Sequence, residues 1–203
     1  MPRFAIAFLL LFTCAGRVSA EDWSSTIKTL EKSIVYVESD IGACTGFVID
    51  AARHYVLTAA HCYAGEQDTL WVDRVMATVI SKDTKKDLLV LEVKNLDPSR
   101  PALRLAASNP ERGADLMSAG FGYALERPFF RQAHVQDDAT TIPGIDGNPY
   151  ISLDAAFVPG QSGGPVVNLA GDVVMIVQRA SETVGIGTGA PVIRERMGRF
   201  FAK

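Results

Sequence analysis

The sequence predicts an all-β protein with helices only at its two ends. Short apolar runs recur along the chain, broken about every 8 to 12 residues by glycine, proline, aspartate or asparagine. Helical spacing of apolar residues is confined to the segment just after residue 21 and to the last thirteen or so residues. This pattern favours a β-barrel or β-sandwich over alternating β-α-β units.

The first twenty residues predict a secretory signal peptide. The segment "MPRFAIAFLLLFTCAGRVSA" has an early Arg3, an apolar run over residues 4–12 and small residues up to Ala20. A membrane anchor is the alternative, but the run is shorter than the roughly 20 residues that span a bilayer. We therefore expect cleavage before Glu21, no stable membrane insertion, and a secreted or periplasmic domain over residues 21–203.

Acidic residues outnumber basic ones in the expected mature chain. Removing Arg3 and Arg17 leaves 18 Lys and Arg against 23 Asp and Glu, a net charge of −5. This balance, without any basic cluster, argues against a nucleic-acid-binding surface.

The elements follow from the local patterns in chain order. Residues 22–33 place Trp23, Ile27 and Leu30 on one helical face, and "PVIRERMGRFFAK" predicts a short helix that begins at Pro191. The segment "NLDPSRP", residues 95–101, predicts a linker between two β lobes. The predicted strands are "SIVYVES", "CTGFVID", "HYVLTAA", "TLWVD", "VMATVIS", "DLLVLEV", "ALRLAA", "ADLMSAGFG", "YISLDAA", "GPVVN", "DVVMIVQ" and "GIGTGAP".

Two cysteines, Cys44 and Cys62, remain after the signal segment. In an exported protein an even pair predicts a disulfide, with two buried free thiols as the alternative. Such a bridge would close about 18 residues and stabilise the fold by roughly 3 kcal/mol.

The segment "PGQSGGPVVN", residues 159–168, surrounds Ser162 with glycines and leads directly into an apolar strand. A loose turn is one interpretation. The other is a nucleophile held beside backbone N–H groups that stabilise a developing oxyanion.

A nucleophilic serine needs a base, and the base needs a carboxylate that orients it. Of the three histidines, His61 in "LTAAHCY" lies at the end of an apolar strand, beside a cysteine of the predicted bridge. In "KDTKKDLLVLEV", Asp87 directly precedes an apolar strand, whereas Asp83 lies among lysines. We therefore expect Asp87, rather than Asp83, to accept a hydrogen bond from the imidazole.

These motifs, in the order histidine, aspartate, serine, resemble the trypsin-like serine protease superfamily. The segments "YISLDAAFVPGQSGGPVVNLAGDVVMIV", "GIGTGAP" and "PALRLAASNPERGADLMSAGFG" resemble its bacterial HtrA/Deg branch, and the likeness covers roughly residues 28–197. The resemblance implies two six-stranded antiparallel β-barrels of the chymotrypsin-like type, over about residues 33–95 and 101–190, with the active site between them. No cofactor or metal is implied.

The resemblance also assigns roles to individual residues. It makes His61 the general base and then acid, Asp87 its orienting partner and Ser162 the nucleophile. The N–H groups of Gly160 and Ser162 would form the oxyanion hole. Proteins or peptides would be the substrates.

The resemblance also implies where specificity is determined: the floor of the pocket for the residue before the cut would be six positions before the nucleophile, here Ala156, with walls from two strands. The predicted walls contain Ile176, Val177, Gln178, Gly187 and Gly189, and the substrate is expected to pair along residues 176–178. The prediction is cleavage after small or medium apolar residues. A carboxylate in the pocket would contradict this prediction by favouring basic side chains. Asp154 is the main candidate for such a carboxylate, and Glu182 is a weaker one.

Several departures and alternatives remain. Gln161 stands where digestive relatives carry an aspartate that captures a new N-terminus, so activation by propeptide cleavage is not expected. The 41 residues after Ser162 leave no room for a PDZ domain, and a trimer would follow from HtrA analogy alone. A catalytically silent binding module and an esterase with the same triad are the competing functions.

Overall fold

Two closed six-stranded β-barrels form the protein, which is described here from a computed structural model. The structure describes residues 22–143, 149–180 and 183–203. The predicted signal peptide and Glu182 lie outside these residues. Within them, no helix has the length and apolar content needed to cross a membrane.

The first barrel has the strand order β1-β2-β3-β6-β5-β4, with every neighbouring pair antiparallel. Its apolar interior includes Val48, Val56 and Leu91, all fully buried. Its strands are β1 Ile34–Ser39, β2 Gly42–Asp50, β3 Tyr55–Thr58, β4 Trp71–Val72, β5 Val75–Asp83 and β6 Leu88–Val93.

The second barrel has the order β10-β11-β12-β9-β8-β7, also antiparallel throughout. Its interior includes Leu153, Val166 and Met175. Its strands are β7 Asp115–Gly120, β8 Phe129–Thr140, β9 Tyr150–Leu153, β10 Pro165–Val167, β11 Val173–Ala180 and β12 Gly185–Gly189. The all-β fold with two six-stranded barrels is therefore confirmed.

The helices lie at the two ends of the described chain, as the periodicity predicts. α1 covers Ser24–Ser33 and α2 covers Ala190–Met197, with Pro191 in the first turn, where its missing N–H leaves no helical hydrogen bond unmade. The segment after α2 returns to the first barrel, where Ala202 N donates to Ile49 O at 2.9 Å.

A third apolar cluster lies where the two barrels meet. Phe47 of β2 and Ile176 of β11 are both fully buried in it, together with Leu30 of α1 and Ile193 of α2. Because this cluster joins both barrels and both helices, it fixes the barrels relative to each other. The residues that carry chemistry come from strand ends and loops along the same junction.

Candidate active site

His61 and Asp87 form a pair through two hydrogen bonds. The backbone N–H of His61 donates to Asp87 Oδ1 at 2.8 Å, and His61 Nδ1 lies 2.7 Å from Asp87 Oδ2. His61 belongs to a short 3-10 turn, Ala60–Cys62, directly after β3. Cys62 of this turn is bonded to Cys44 of β2 with a Cα–Cα distance of 6.2 Å, so the predicted disulfide is present and secures the histidine turn.

The carboxylate of Asp87 is the nearer one, whereas Asp83 is engaged elsewhere. Asp83 Oδ1 accepts the N–H of Lys86 at 3.0 Å, and Arg196 Nε lies 3.8 Å from Asp83 Oδ2. Asp87 has a left-handed backbone with φ of 54°, a conformation that costs free energy in a non-glycine residue.

Two buried side chains of the second barrel hold the backbone around Asp87. Gln178 Nε2 donates to Lys86 O at 2.7 Å and to Asp87 O at 3.0 Å. Thr188 Oγ1 donates to Gln178 Oε1 at 2.9 Å, which fixes the orientation of the amide. Both side chains are at least 95% buried. These contacts tie the aspartate of the first barrel to β11 and β12 of the second.

The glycines around Ser162 are required by close packing. Gly160 and Gly163 have φ values of 96° and 82°, which other residues rarely adopt. A side chain on Gly163 would overlap Thr45 O and Thr58 Oγ1 and come within 2.8 Å of Ala59 N. Thr58 and Ala59 lead into the His61 turn, so this packing brings the serine segment against the histidine segment.

Thr45 joins the serine segment to the first barrel and was missed by the sequence reasoning. Its N–H donates to Ser162 O and its Oγ1 donates to Gly160 O, both at 2.8 Å. The same hydroxyl accepts the N–H of Phe121 at 2.8 Å. The sequence showed only a polar residue next to Cys44, and its full burial is evident only in the structure.

The backbone around Ser162 has unused donors. The N–H groups of Gln161, Gly163 and Gly164 donate to Val158 O, Val177 O and Gln161 O. In the part of the chain that the structure describes, the N–H groups of Gly160 and Ser162 have no protein acceptor. They are therefore available to a ligand oxygen.

A cavity of about 470 Å³ lies beside the histidine–aspartate pair. Tyr63, Lys82 and Thr84 line it from the first barrel, and Gln178 and Arg179 line it from the second. Sequence reasoning did not single out Lys82 or Arg179, because neither belongs to a recognisable motif.

The residues predicted as pocket walls are packed rather than exposed. Ile176 and Val177 are fully or almost fully buried, and Val177 exchanges backbone hydrogen bonds with Gly163 and Gly164. A side chain on Gly187 would overlap Ile176 O, and one on Gly189 would overlap Asn109 Oδ1. The backbone along 176–177 is thus paired on both edges, whereas among the described residues Arg179 and Ala180 pair only with Ile186 and Gly185 of β12.

Ala156 is half-buried, and Arg131 Nη1 donates to its carbonyl at 2.6 Å. The neighbouring Phe157 is buried, and its ring occupies the space in which Gly185 would carry a side chain. The Arg131 guanidinium therefore lies at the backbone of Ala156.

Asp154 points its carboxylate at His134. Its Oδ1 accepts the His134 N–H at 2.6 Å, and its Oδ2 lies 2.8 Å from His134 Nδ1. Asp115 Oδ1 lies 2.9 Å from His134 Nε2. The hydrogen bond and charge of Asp154 raise the pKa of His134, and the backbone N–H of His134 lowers the pKa of Asp154.

One group of three potential metal ligands occurs among the described residues, Cys44, His61 and Cys62. Both sulfurs are joined in the disulfide, so they supply no thiolate, the form of cysteine that binds a metal.

Two β-barrels that meet at a histidine–aspartate pair and a glycine-flanked serine are the arrangement of a double-barrel peptidase. A family model of the trypsin-like peptidase domain matches residues 44–176, more than half of the chain. The chain belongs to this trypsin-like peptidase family.

Solved structures agree with this assignment. The Rv3671c protease of M. tuberculosis in its inactive form is 28% identical, with a TM-score of 0.73 over 87% of this chain and 93% of that one. Its active form is 26% identical, with a TM-score of 0.73 over 88% and 85%. The HtrA-type protease AlgW with a tripeptide shares the fold, at 20% identity and a TM-score of 0.75 over 88% and 63%. No curated protein sequence matches significantly.

Proposed function

We propose that this protein is an exported serine endopeptidase that hydrolyses peptide bonds through His61, Asp87 and Ser162. The observation that carries the proposal is the double hydrogen bond between His61 and Asp87. Because Nδ1–H donates to the carboxylate, Nε2 is left as the acceptor, which is the form a general base requires. The disulfide supports export, since such bonds persist in oxidising compartments.

The proposed reaction uses these three residues and the two free N–H groups. Ser162 Oγ attacks the scissile carbonyl carbon while His61 Nε2 takes the hydroxyl proton. The resulting oxyanion accepts hydrogen bonds from the N–H groups of Gly160 and Ser162. His61 then gives its proton to the leaving amine, and an ester to Ser162 remains.

Hydrolysis of the ester reverses the roles of the same groups. Water attacks the ester carbonyl carbon while His61 takes a proton from the attacking water. His61 next returns this proton to Ser162 Oγ, and the carboxylic acid product leaves. The Asp87 carboxylate stabilises the imidazolium that forms twice per cycle.

Gln161 supports a site that is formed without propeptide cleavage. Its side chain is buried, and Oε1 accepts the N–H of Val158 at 2.9 Å. This internal hydrogen bond closes the turn before Ser162 and needs no captured N-terminus.

Cleavage after small or medium apolar residues is the proposed specificity. Asp154 is held by His134, so its carboxylate is not free to bind a basic side chain. The Arg131 guanidinium at Ala156 O would repel a lysine or arginine side chain. The substrate backbone would pair beyond Gln178, at Arg179 and Ala180, instead of along 176–178.

Denatured casein, a matched ester and a peptide panel test the proposal. The wild-type protein should cleave casein and prefer alanine, valine or leucine before the cut, and Ser162→Ala should cleave nothing. Ester cleavage without peptide cleavage would make the protein an esterase, and inactivity on both would support the silent binding module. A preference for arginine or lysine would contradict the apolar pocket.

A further inference from the structure

The cavity beside His61 contains two cationic side chains. Lys82 of β5 and Arg179 of β11 face it from opposite barrels, and both are exposed to solvent. Lys82 Nζ lies 4.6 Å from the centre of the Tyr63 ring and donates to Tyr63 O at 3.3 Å. An ammonium group has three donors, so Lys82 is positioned by Tyr63 and keeps donors for a ligand.

Among the described residues, Asp87 is the one carboxylate that lines the cavity, and its single negative charge does not balance the two positive charges. Asp87 is directed at His61, with Oδ1 on the backbone N–H and Oδ2 at Nδ1. Gln178 contributes a neutral amide whose NH₂ already binds Lys86 O and Asp87 O. The open part of the cavity therefore has a positive potential, which favours an anionic group.

The position of the cavity indicates which side chain of a bound peptide would enter it. Successive side chains of an extended peptide point to opposite sides. The proposed pocket for the residue before the cut lies on the second barrel near Ala156, whereas the cavity opens on the His61 side. The side chain one position further from the cut would point into the cavity.

We propose that Lys82 and Arg179 form a subsite that selects an acidic side chain at the second residue before the cut. The inference rests on the proposed function, because it assumes a peptide that is bound across His61 and Ser162. The preferred substrate would then have an acidic residue at the second position before the cut and an apolar residue directly before the cut.

Fluorogenic peptides that differ only by glutamate or glutamine at this second position test the proposal. Glutamine has the shape of glutamate without the charge. In the wild-type protein at about 50 mM NaCl, glutamate should raise kcat/KM by roughly 3- to 10-fold over glutamine, given two exposed ionic contacts. The ratio should fall toward 1 at about 0.5 M NaCl because salt screens exposed charges.

Variants assign the effect to the two cations. Lys82→Met keeps an apolar side chain of similar length, and Arg179→Gln keeps a polar side chain without the charge. Each variant should reduce the ratio of kcat/KM for the glutamate peptide to that for the glutamine peptide. The double variant should bring this ratio to about 1. Lys85→Met is the matched control, because Lys85 is exposed in the connection between β5 and β6 and does not line the cavity. It should leave the ratio unchanged. A wild-type ratio at or below 1, or an unchanged ratio in the double variant, would overturn the subsite.

A binding measurement separates this inference from the proposed function. Fluorescence anisotropy with Ser162→Ala should show tighter binding of the glutamate peptide than of the glutamine peptide, and the double variant Lys82→Met, Arg179→Gln on that background should lose the difference. If the wild-type protein cleaves neither peptide but the Ser162→Ala protein still binds the glutamate peptide more tightly, the peptidase function is refuted and the acidic subsite is retained. Equal binding of both peptides would refute the subsite.

Discussion

At the scale of single residues, the site depends on the choice of one carboxylate and on the groups that hold it. Asp87 has a left-handed backbone and is held from two sides, by His61 and by Gln178. The choice of Asp87 over Asp83 could be predicted from its place before an apolar strand. The role of Gln178 could not, because its partners lie about 90 residues away in the chain and become neighbours only when the barrels meet.

Replacing the two aspartates separately tests the choice of carboxylate. Asp87→Asn should lower kcat by a factor on the order of 10⁴, because the amide favours the wrong tautomer of His61. Asp83→Asn is the matched control and should retain most of the activity. Both variants are measured with the same peptide substrate. A large loss of kcat in Asp83→Asn, with kcat retained in Asp87→Asn, would reverse the assignment.

Gln178 is expected to act as a positioning residue through Asp87. Gln178→Leu removes the hydrogen bonds to Lys86 O and Asp87 O. Asp87 O loses its side-chain donor, whereas Lys86 O keeps the 3.3 Å contact with Thr188 Oγ1. The Asp87 turn is then held less firmly, so kcat should fall roughly 10- to 100-fold with little change in KM. On an Asp87→Asn background the same change should cost much less. Equal losses of kcat on both backgrounds would show that Gln178 does not act through Asp87.

At the scale of strands and helices, the sequence predicted those elements whose apolar residues are consecutive. β6 is an example, since five of its six residues are buried. β8 was missed because polar and charged residues interrupt its apolar ones, and only Ala133 and Val135 of its twelve residues are buried. The opposite error is "ALRLAA", which forms only a single bridge between Leu105 and Val173.

The pocket walls show the same limit of sequence reasoning. Ile176 and Val177 are apolar because they belong to the barrel core, and an apolar run does not show which residues reach solvent at its end. Their position between β10 and β12 follows from the topology.

His134 joins three strands or strand ends through Asp115 and Asp154, and this cluster should make stability depend on pH. The pKa of His134 is raised above its ordinary value of 6.5, so its contribution is complete below pH 6.5 and is lost as pH rises through the folded value. The pKa of Asp154 is lowered from 3.8, so its contribution is present above pH 3.8 and is lost as pH falls through the folded value.

Urea unfolding of wild type and His134→Gln between pH 3 and pH 9 measures this effect. The difference in free energy of unfolding should be largest near pH 5 to 6 and should shrink at both ends. His54→Gln is a control, because His54 forms neither carboxylate contact. A difference that grows above pH 8 would contradict the charged His134 pair.

At the scale of the whole molecule, both barrels contribute residues to the proposed site. The first barrel supplies His61 and Asp87, and the second supplies Ser162 and the Gln178–Thr188 pair that holds the Asp87 turn. Thr45 connects the serine segment back to the first barrel. The double-barrel architecture was predictable from the resemblance, but these connections are set by tertiary packing and had no local signal.

The central claim is that His61 activates Ser162 as a nucleophile, and fluorophosphonate labelling followed by peptide mapping tests it most directly. The wild-type protein should carry one adduct, on Ser162, and His61→Ala should label at least 10³-fold more slowly while remaining folded by circular dichroism. A wild-type protein that does not label, or that labels at a residue other than Ser162, would contradict the account.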